Sequence, residues 1–332
     1  MYLLKKQVFV TRKLPSDGLN MIIEKFDTEV WSSEIPPTAH EIVENAKECE
    51  GLVTLLSDSI SADVIDQLPK LQVIAQYAVG YDNIDVSRAS ERKIAVTNTP
   101  GVLTETTADL AWSLIMTTSR RIVEADKYVR NGQWNVAWGP EMLLGSDVYG
   151  STLGIIGLGR IGHAVAKRAS GFSMKILYYT RSENEYSRDL DELPNVKSVD
   201  LETLLRESDI VTLHIPLSSE TEHLIGEKEF ELMRSTAVLI NTSRGPVVDE
   251  GALIDALQTG KIGAAGLDVF TQEPIQKDNK LLRLSNVVLA PHIGSASTKT
   301  RATMAKMCAT NLIAALNGQK PPNLVNTEVY ED

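Results

Sequence analysis

Three side chains that follow three successive β-like runs carry the chemistry in this chain. Arg244 follows Ala237–Asn241, in Asn241-Thr242-Ser243-Arg244-Gly245. Glu273 follows Ala264–Val269, in Asp268-Val269-Phe270-Thr271-Gln272-Glu273-Pro274. His292 follows Val287–Ala290, in Ala290-Pro291-His292-Ile293-Gly294-Ser295. In open α/β sheets, ligands bind outside the carboxyl ends of the strands, so the three can share one site. An Arg can fork onto a carboxylate and a neighbouring carbonyl oxygen. A charged His can hand a proton to a forming alkoxide. A nearby Glu favours that charged form. The set suits reduction of a ketone beside a carboxylate, with the hydride drawn from a cofactor. Polar residues are common in loops, so spacing alone leaves a structural trio as the alternative.

The cofactor has its own signal. Thr152-Leu153-Gly154-Ile155-Ile156 runs straight into Gly157-Leu158-Gly159-Arg160-Ile161-Gly162, and a helical pattern follows. Gly157 permits a tight turn, Gly159 lets a pyrophosphate approach the backbone, and Gly162 allows close helix–strand packing. The helix start offers free N–H groups and a favourable dipole to the phosphates. A structural glycine turn is the alternative. The strand, loop and helix context favours dinucleotide binding.

The next strand bears on which dinucleotide. NAD sites place an acid about 20 residues past the loop to hold the ribose 2′-hydroxyl. This strand ends Tyr179-Thr180-Arg181-Ser182, with no acid at Thr180. Thr180, Arg181 and Ser182 can donate to a 2′-phosphate, which a carboxylate would repel. A charged hydrogen bond is worth about 1.5–3 kcal/mol, or roughly 10- to 150-fold in affinity. The expectation is NADP(H) as the preferred cofactor, with NAD(H) usable. Alternatively Arg181 is a solvated surface residue, and Glu183 or Glu185 holds the ribose. Among the other histidines, His214 ends a strand near the cofactor edge and is a cofactor contact or a packing residue. His163 suits packing on the helix after the glycine loop, and His40 and His223 read as solvated.

These residues need strand ends to stand on. Strand-like and helical runs alternate: Gln7–Thr11, Gly18–Phe26, Thr28–Trp31, Ala39–Ala46, Gly51–Leu55, Ala62–Leu68, Val73–Tyr77 and Ala95–Thr97. Thr104 to about Arg130 reads as one long helix or two in succession. A second series runs Leu153–Ile156, Ile161–Phe172, Lys175–Tyr179, Leu201–Glu207, Ile210–His214, Glu227–Leu232, Ala237–Asn241, Glu250–Gln258, Ala264–Val269 and Val287–Ala290. Thr298–Leu316 closes the chain as a long helix that could fold back onto the first series. Such alternation predicts α/β units with parallel sheets flanked by helices.

Composition narrows the class. The chain has 332 residues, enough for about two domains. Lys plus Arg is 33 against 44 Asp plus Glu, a net charge of −11. That balance argues against a general nucleic-acid binder. Apolar residues at 43% and charged residues at 23% are those of a globular protein. Cys49 and Cys308 are too few for a disulfide framework and are expected as buried thiols. No cluster has metal-ligand spacing. No stretch has signal-peptide or membrane-span character, so the expectation is a cytoplasmic protein without membrane or nucleic-acid partners.

Taken together, these motifs resemble the D-isomer-specific 2-hydroxyacid dehydrogenase family, over essentially the whole chain. Ala78-Val79-Gly80-Tyr81-Asp82-Asn83-Ile84-Asp85, the Asn98–Asp109 segment, the Gly157 loop and the three loops above carry the resemblance. It implies two Rossmann-like domains with parallel sheets. One is a discontinuous, flavodoxin-like substrate domain of residues 1–100 and 289–332. The other is a dinucleotide-binding domain of residues 101–288. It implies Arg244 as substrate anchor, His292 as acid/base and Glu273 as its partner. Substrate contacts are implied at Leu55 and the Val79–Gly80 backbone, and Ser295 is added as a candidate. Thr106 and Asp268 match positions near the nicotinamide. Further candidate cofactor contacts are Pro216, Thr221, Thr242, Ser243 and Gly294, with His292 itself. A homodimer through about residues 104–150 is also implied.

Within the family the chain most resembles glyoxylate/hydroxypyruvate reductases, so the expected substrate is a small 2-oxo acid. Met142 stands where some of these carry a Trp. Phosphoglycerate dehydrogenase, 2-ketogluconate reductase and phosphite dehydrogenase share the trio and are the alternative reactions. A dinucleotide-sensing corepressor-like protein is the non-enzymatic alternative.

Overall fold

The computed structural model describes residues 5–182, 184–191 and 195–331. They fall into two compact units, Met1–Leu103 with Ser295–Asp332, and Thr104–Gly294.

The first unit holds β1 (Gln7–Val10), α1 (Ser16–Lys25), β2 (Asp27–Val30), α2 (Ala39–Ala46), β3 (Gly51–Thr54), α3 (Ala62–Asp66), β4 (Val73–Gln76), α4 (Val86–Glu91) and β5 (Ala95–Thr97). The strands form one parallel sheet in the order β2-β1-β3-β4-β5. The return segment adds α12 (Thr298–Leu316), which packs on α1 and across β4. Its Cys308, Leu312 and Leu316 share a core with Val53 and Val73. Ile42, Ile65 and Leu68 cover the other face. The first unit is therefore discontinuous in sequence, because the closing helix completes its core.

The second unit begins with α5 (Thr104–Ser119) and α6 (Ile122–Arg130). It continues with β6 (Thr152–Ile156), α7 (Arg160–Ala169), β7 (Lys175–Tyr179), α8 (Glu185–Asp191), β8 (Val196–Ser198), α9 (Leu201–Glu207) and β9 (Ile210–Leu213). Then come α10 (Glu227–Leu232), β10 (Val238–Asn241), α11 (Glu250–Thr259), β11 (Ala264–Leu267) and β12 (Val287–Leu289). The sheet runs β12-β11-β10-β9-β6-β7-β8, and every pairing is parallel. Because strand order reverses between β6 and β9, a crevice opens at their carboxyl ends. Helices cover both faces, so β9 and β10 are buried along their whole length and read as apolar runs.

Local chemistry sets the element ends. Asp249 caps α11 through the Ala252 N–H, and Ser297 caps α12 through the Thr300 N–H. The segment after Thr104 is two helices, not one. Arg121 breaks it in the left-handed region at φ 53°, and its guanidinium holds Glu124 and the Leu144 carbonyl. The sequence reading passes over α4, α8 and β8. The two helices are short, and β8 is a three-residue edge strand with polar, exposed positions.

The unit borders differ slightly from those expected. Val102 and Leu103 pack on the first unit's core. Residues 289–294 stay with the second unit, because Leu289 pairs with Leu267 and the Ala290 N–H donates to the Leu267 carbonyl. Both cysteines are buried free thiols. Among the described residues no helix is long and apolar enough to cross a membrane, and no group of His, Cys, Asp and Glu could hold a metal ion.

Candidate active site

The adjacent strands β10, β11 and β12 end in the loops that carry Arg244, Glu273 and His292. His292 Nδ1 lies 2.6 Å from Glu273 Oε2. The other carboxylate oxygen, Oε1, accepts the Phe270 N–H at 3.0 Å, so the acid is fixed at both ends. Both side chains are about one-third exposed. Arg244 is half-buried, and its charge acts on Glu273.

Each loop is held by groups outside the trio. Asn241, 1% exposed, donates from Nδ2 to the Arg244 carbonyl at 2.9 Å and accepts from the Ser243 N–H and hydroxyl. Gly245 lets the Arg244 loop touch the Phe270 backbone. A methyl there would lie 1.9 Å from the Phe270 carbonyl carbon. His292 sits in the left-handed region at φ 54°. Asp268 secures that conformation: its Oδ1 and Oδ2 accept the Ile293 and Gly294 N–H groups at 2.7 and 2.8 Å. Its own carbonyl accepts the His292 N–H at 2.9 Å.

Electrostatics separate the two carboxylates. Burial pushes Glu273 up, but His292, the Phe270 N–H and the Arg244 charge outweigh it and hold the acid below the usual carboxylate range. Burial dominates at Asp268 and raises it to about 6, with the Glu273 charge adding to the shift. Glu273 is thus the standing anion of the pair.

The glycine loop is built for a phosphate group. Gly157 turns at φ 95°, and a methyl on it would lie 2.5 Å from the His214 carbonyl oxygen. A methyl on Gly162 would lie 2.2 Å from the Gly157 carbonyl oxygen. A methyl on Gly159 would meet nothing within 4 Å among the described residues, so the space over the loop is open there. Gly159 caps α7 with no side chain, and the first turn carries no acid, so Arg160 and Ile161 begin a helix whose N–H end can meet phosphates. Leu158 is buried, and its carbonyl accepts from Asn184 at 3.0 Å. Among the described residues the buried Thr242 hydroxyl has no hydrogen-bond partner. An open glycine cradle and an orphaned hydroxyl on one sheet edge fit a nicotinamide dinucleotide.

At the end of β7, the Thr180 hydroxyl donates to the Ser182 carbonyl at 3.3 Å. Arg181 pairs with Glu220, which sequence reading does not single out. Glu220 follows β9, Arg181 follows β7, and β6 lies between them, so the pair spans the end of the glycine-loop strand. Glu183 lies outside the described residues. His214 is pushed down to about 3 by burial, and its Nε2 lies 2.9 Å from the Thr212 hydroxyl, so it is a neutral ring. The Thr221 hydroxyl donates to the Pro216 carbonyl at 2.7 Å and braces that loop. The His163 ring packs near Tyr186, and its Nε2 lies 2.5 Å from Asp189 Oδ2. Thr106 opens α5 in the same unit.

Leu55, Val79, Gly80 and Ser295 belong to the first unit. Leu55 follows β3, and Val79 and Gly80 follow β4. The Val79 and Gly80 carbonyls accept from Asn98 at 2.8 Å and Gln76 at 3.2 Å. The Ser295 carbonyl accepts from Arg301 at 3.3 Å. Asn241 and Gly245 escape sequence reading as site-builders. Their signal is a polar Asn ending an apolar strand, followed within four residues by a glycine.

The chain is similar over nearly its whole length to known proteins. The family model for the D-isomer specific 2-hydroxyacid dehydrogenase NAD binding domain matches residues 112–294. A glyoxylate reductase of Korarchaeum cryptofilum is 58% identical over 99% of this chain and 98% of its own. One from Thermococcus litoralis is 52% identical, covering 98% of each chain. A crystal structure of an NADPH-dependent glyoxylate/hydroxypyruvate reductase from Sinorhizobium meliloti, in complex with NADP and malonate, is 33% identical. It covers 97% of each chain with a TM-score of 0.84.

Proposed function

The chain belongs to the D-isomer-specific 2-hydroxyacid dehydrogenase family, and from that premise we propose that it reduces glyoxylate to glycolate with a nicotinamide dinucleotide. The observation that carries this is the His292–Glu273 contact at 2.6 Å on the same sheet edge as the open glycine loop. Hydroxypyruvate, one hydroxymethyl group larger, is a second substrate of the same chemistry. The solved reductase from Sinorhizobium meliloti supports it.

Arg244 anchors the carboxylate and the adjacent carbonyl oxygen of the 2-oxo acid. When bound, the reduced nicotinamide supplies a hydride to C2. His292 uses Nδ1 against Glu273, so Nε2 is the nitrogen free to give its proton to the carbonyl oxygen. Glu273 balances the imidazolium charge before the transfer. Leu55, Val79, Gly80 and Ser295 are the first unit's substrate contacts in this reading. Thr106, Pro216, Thr221, Thr242, Ser243, Asp268 and Gly294 line the cofactor side with the glycine loop.

We assign the cofactor preference to NADPH on the Thr180-Arg181-Ser182 end of β7, where these three side chains offer donors and Glu220 competes for Arg181. A homodimer completes the proposal. Helix α6 buries none of its residues in the chain, and Ile122, Val129, Trp134 and Trp138 are exposed along the same segment. Light scattering should give twice the 36.4 kDa chain mass; the mass of one chain would remove the dimer.

The primary test is oxidation of NADPH and of NADH by purified protein with glyoxylate at matched concentrations. Turnover with glyoxylate supports the reaction, and a faster rate with NADPH supports the cofactor assignment. Silence with both cofactors overturns the reading.

A further inference from the structure

Behind the Val79–Gly80 segment lies a chain of hydrogen-bonded polar groups, buried at Thr54 and Gln76 and half-buried at Asn83. The Thr54 hydroxyl donates to Gln76 Oε1 at 2.6 Å. Gln76 Nε2 donates to Asn83 Oδ1 at 2.7 Å and to the Gly80 carbonyl at 3.2 Å. Asn83 Nδ2 donates to the Leu55 and Asp58 carbonyls at 3.0 and 2.8 Å. Gln76 and Thr54 have no exposed surface. A buried amide is costly unless its groups are paired, and here the Gln76 oxygen and both its N–H groups are used. Simple packing needs no such arrangement. An apolar residue of similar length would fill the site without a network that must be satisfied throughout.

The network fixes the direction of the peptide units above it. A trans peptide carries its C=O and its N–H on opposite sides. Gln76 draws the Gly80 carbonyl inward, so the following N–H, that of Tyr81, faces outward. Asn98 Nδ2 draws in the Val79 carbonyl at 2.8 Å, so the Gly80 N–H faces outward too. Among the described residues neither N–H has a hydrogen-bond partner. Two successive outward N–H groups can together meet an anion.

We propose that Gln76, held by Asn83 and Thr54, is a positioning residue that turns the Gly80 and Tyr81 N–H groups toward the substrate carboxylate. The inference rests on the reading of Val79–Gly80 as a substrate contact. It adds the Tyr81 N–H as a donor and names the side chain that aims it. Without the Gln76 amide, the Gly80–Tyr81 peptide is free to rotate, and its N–H no longer points steadily outward. Cofactor binding is untouched, because the glycine loop belongs to the other unit.

The experiment compares Gln76→Met and Asn83→Ala with the parent on KM for glyoxylate, KM for the nicotinamide cofactor, kcat and melting temperature. Gln76→Met should raise KM for glyoxylate about ten-fold, with cofactor KM and kcat within about two-fold of the parent. Asn83→Ala, which leaves the Gln76 amide unbraced, should shift the same constant in the same direction by less. Gly80→Pro removes the Gly80 N–H and tests the underlying reading. If Gly80→Pro leaves KM for glyoxylate unchanged, Val79–Gly80 is not the carboxylate contact. If Gly80→Pro raises it and Gln76→Met lowers only kcat or only the melting temperature, the contact stands and Gln76 is structural. A Gln76→Met protein too unstable to assay passes the decision to Asn83→Ala, where an unchanged glyoxylate KM overturns the proposal.

Discussion

His292 Nδ1 and Glu273 Oε2 meet at 2.6 Å, and that contact joins the loops after β11 and β12. Glu273 is held ionised by His292, by the Phe270 N–H and by Arg244, despite its burial. A standing carboxylate at this distance fixes the His292 ring through Nδ1 and leaves Nε2 for the substrate oxygen. Glu273→Gln keeps the shape and removes the charge. Its kcat for glyoxylate reduction should fall by about ten-fold or more, with KM for the cofactor near the parent's. A parental kcat in Glu273→Gln would take the carboxylate out of the proton-transfer step.

Removing the acid itself is more damaging. General acid catalysis contributes about 10²–10⁴-fold, so His292→Ala should lower kcat by that order. The glycine loop is unchanged in this variant, so binding of the reduced cofactor, followed by its fluorescence, should persist. Loss of cofactor binding together with kcat would mean that His292 also holds the cofactor, and a near-parental kcat would remove it from the acid role.

Asp268 has a pH signature of its own. Its carboxyl is raised to about 6 in the folded chain, so between about pH 4 and 6 the folded state holds a proton that the unfolded chain has released. Stability from this group is therefore present at the acid end of that window and falls as pH rises through it. Asp268→Asn should flatten the dependence of the urea midpoint on pH between 4 and 6. It should also lower activity, because an amide cannot accept both the Ile293 and the Gly294 N–H. A midpoint slope identical to the parent's would place the raised proton affinity elsewhere.

Much of the site was legible in the sequence because sequence neighbours carry it. Arg244, Glu273 and His292 each follow an apolar strand within a few residues, and the parallel order of β10, β11 and β12 places the three loops side by side. The glycine loop was readable for the same reason. Groups that meet only through the fold were not. Glu220 reaches Arg181 because β6 lies between β7 and β9, an order no local pattern states. Gln76 reads as a polar residue at a strand end, and only the pairing of β3 with β4 brings it to Thr54. The Arg121 break in the long helix depends on Glu124 and the distant Leu144 carbonyl, so spacing left one helix or two open.

Gly245 should be among the least replaceable residues in the second unit. A side chain there must displace the Phe270 backbone, not a flexible neighbour. Overpacking of this kind costs about 1–3 kcal/mol, and more where backbone must move. Gly245→Ala should lower the melting temperature. It should also lower kcat further than the lost folded fraction explains, because the Arg244 and Glu273 loops part. A variant with parental kcat per folded molecule would show that the loops tolerate separation.

Cofactor choice tests the crevice at the end of β6. Arg181 is held by Glu220 in the described structure, so a 2′-phosphate must draw the guanidinium from a carboxylate that also repels it. Both side chains are about two-thirds exposed, and exposed pairs of this kind are worth at most about 1 kcal/mol, roughly five-fold. Glu220→Gln should therefore raise kcat/KM for NADPH by about two- to five-fold and leave NADH nearly unchanged. Arg181→Gln should lower the NADPH to NADH ratio by about ten-fold or more, since a charged donor to the phosphate is lost. Thr180→Asp should lower the ratio as well, by placing an acid where the 2′-phosphate would lie. In the Arg181→Gln background, Glu220→Gln should lose the part of its gain that comes from releasing the guanidinium. A ratio unmoved by all three substitutions would put the selecting contacts outside the β7 end. An effect of Glu220→Gln that is equal with and without Arg181 would mean that Glu220 acts by its charge alone.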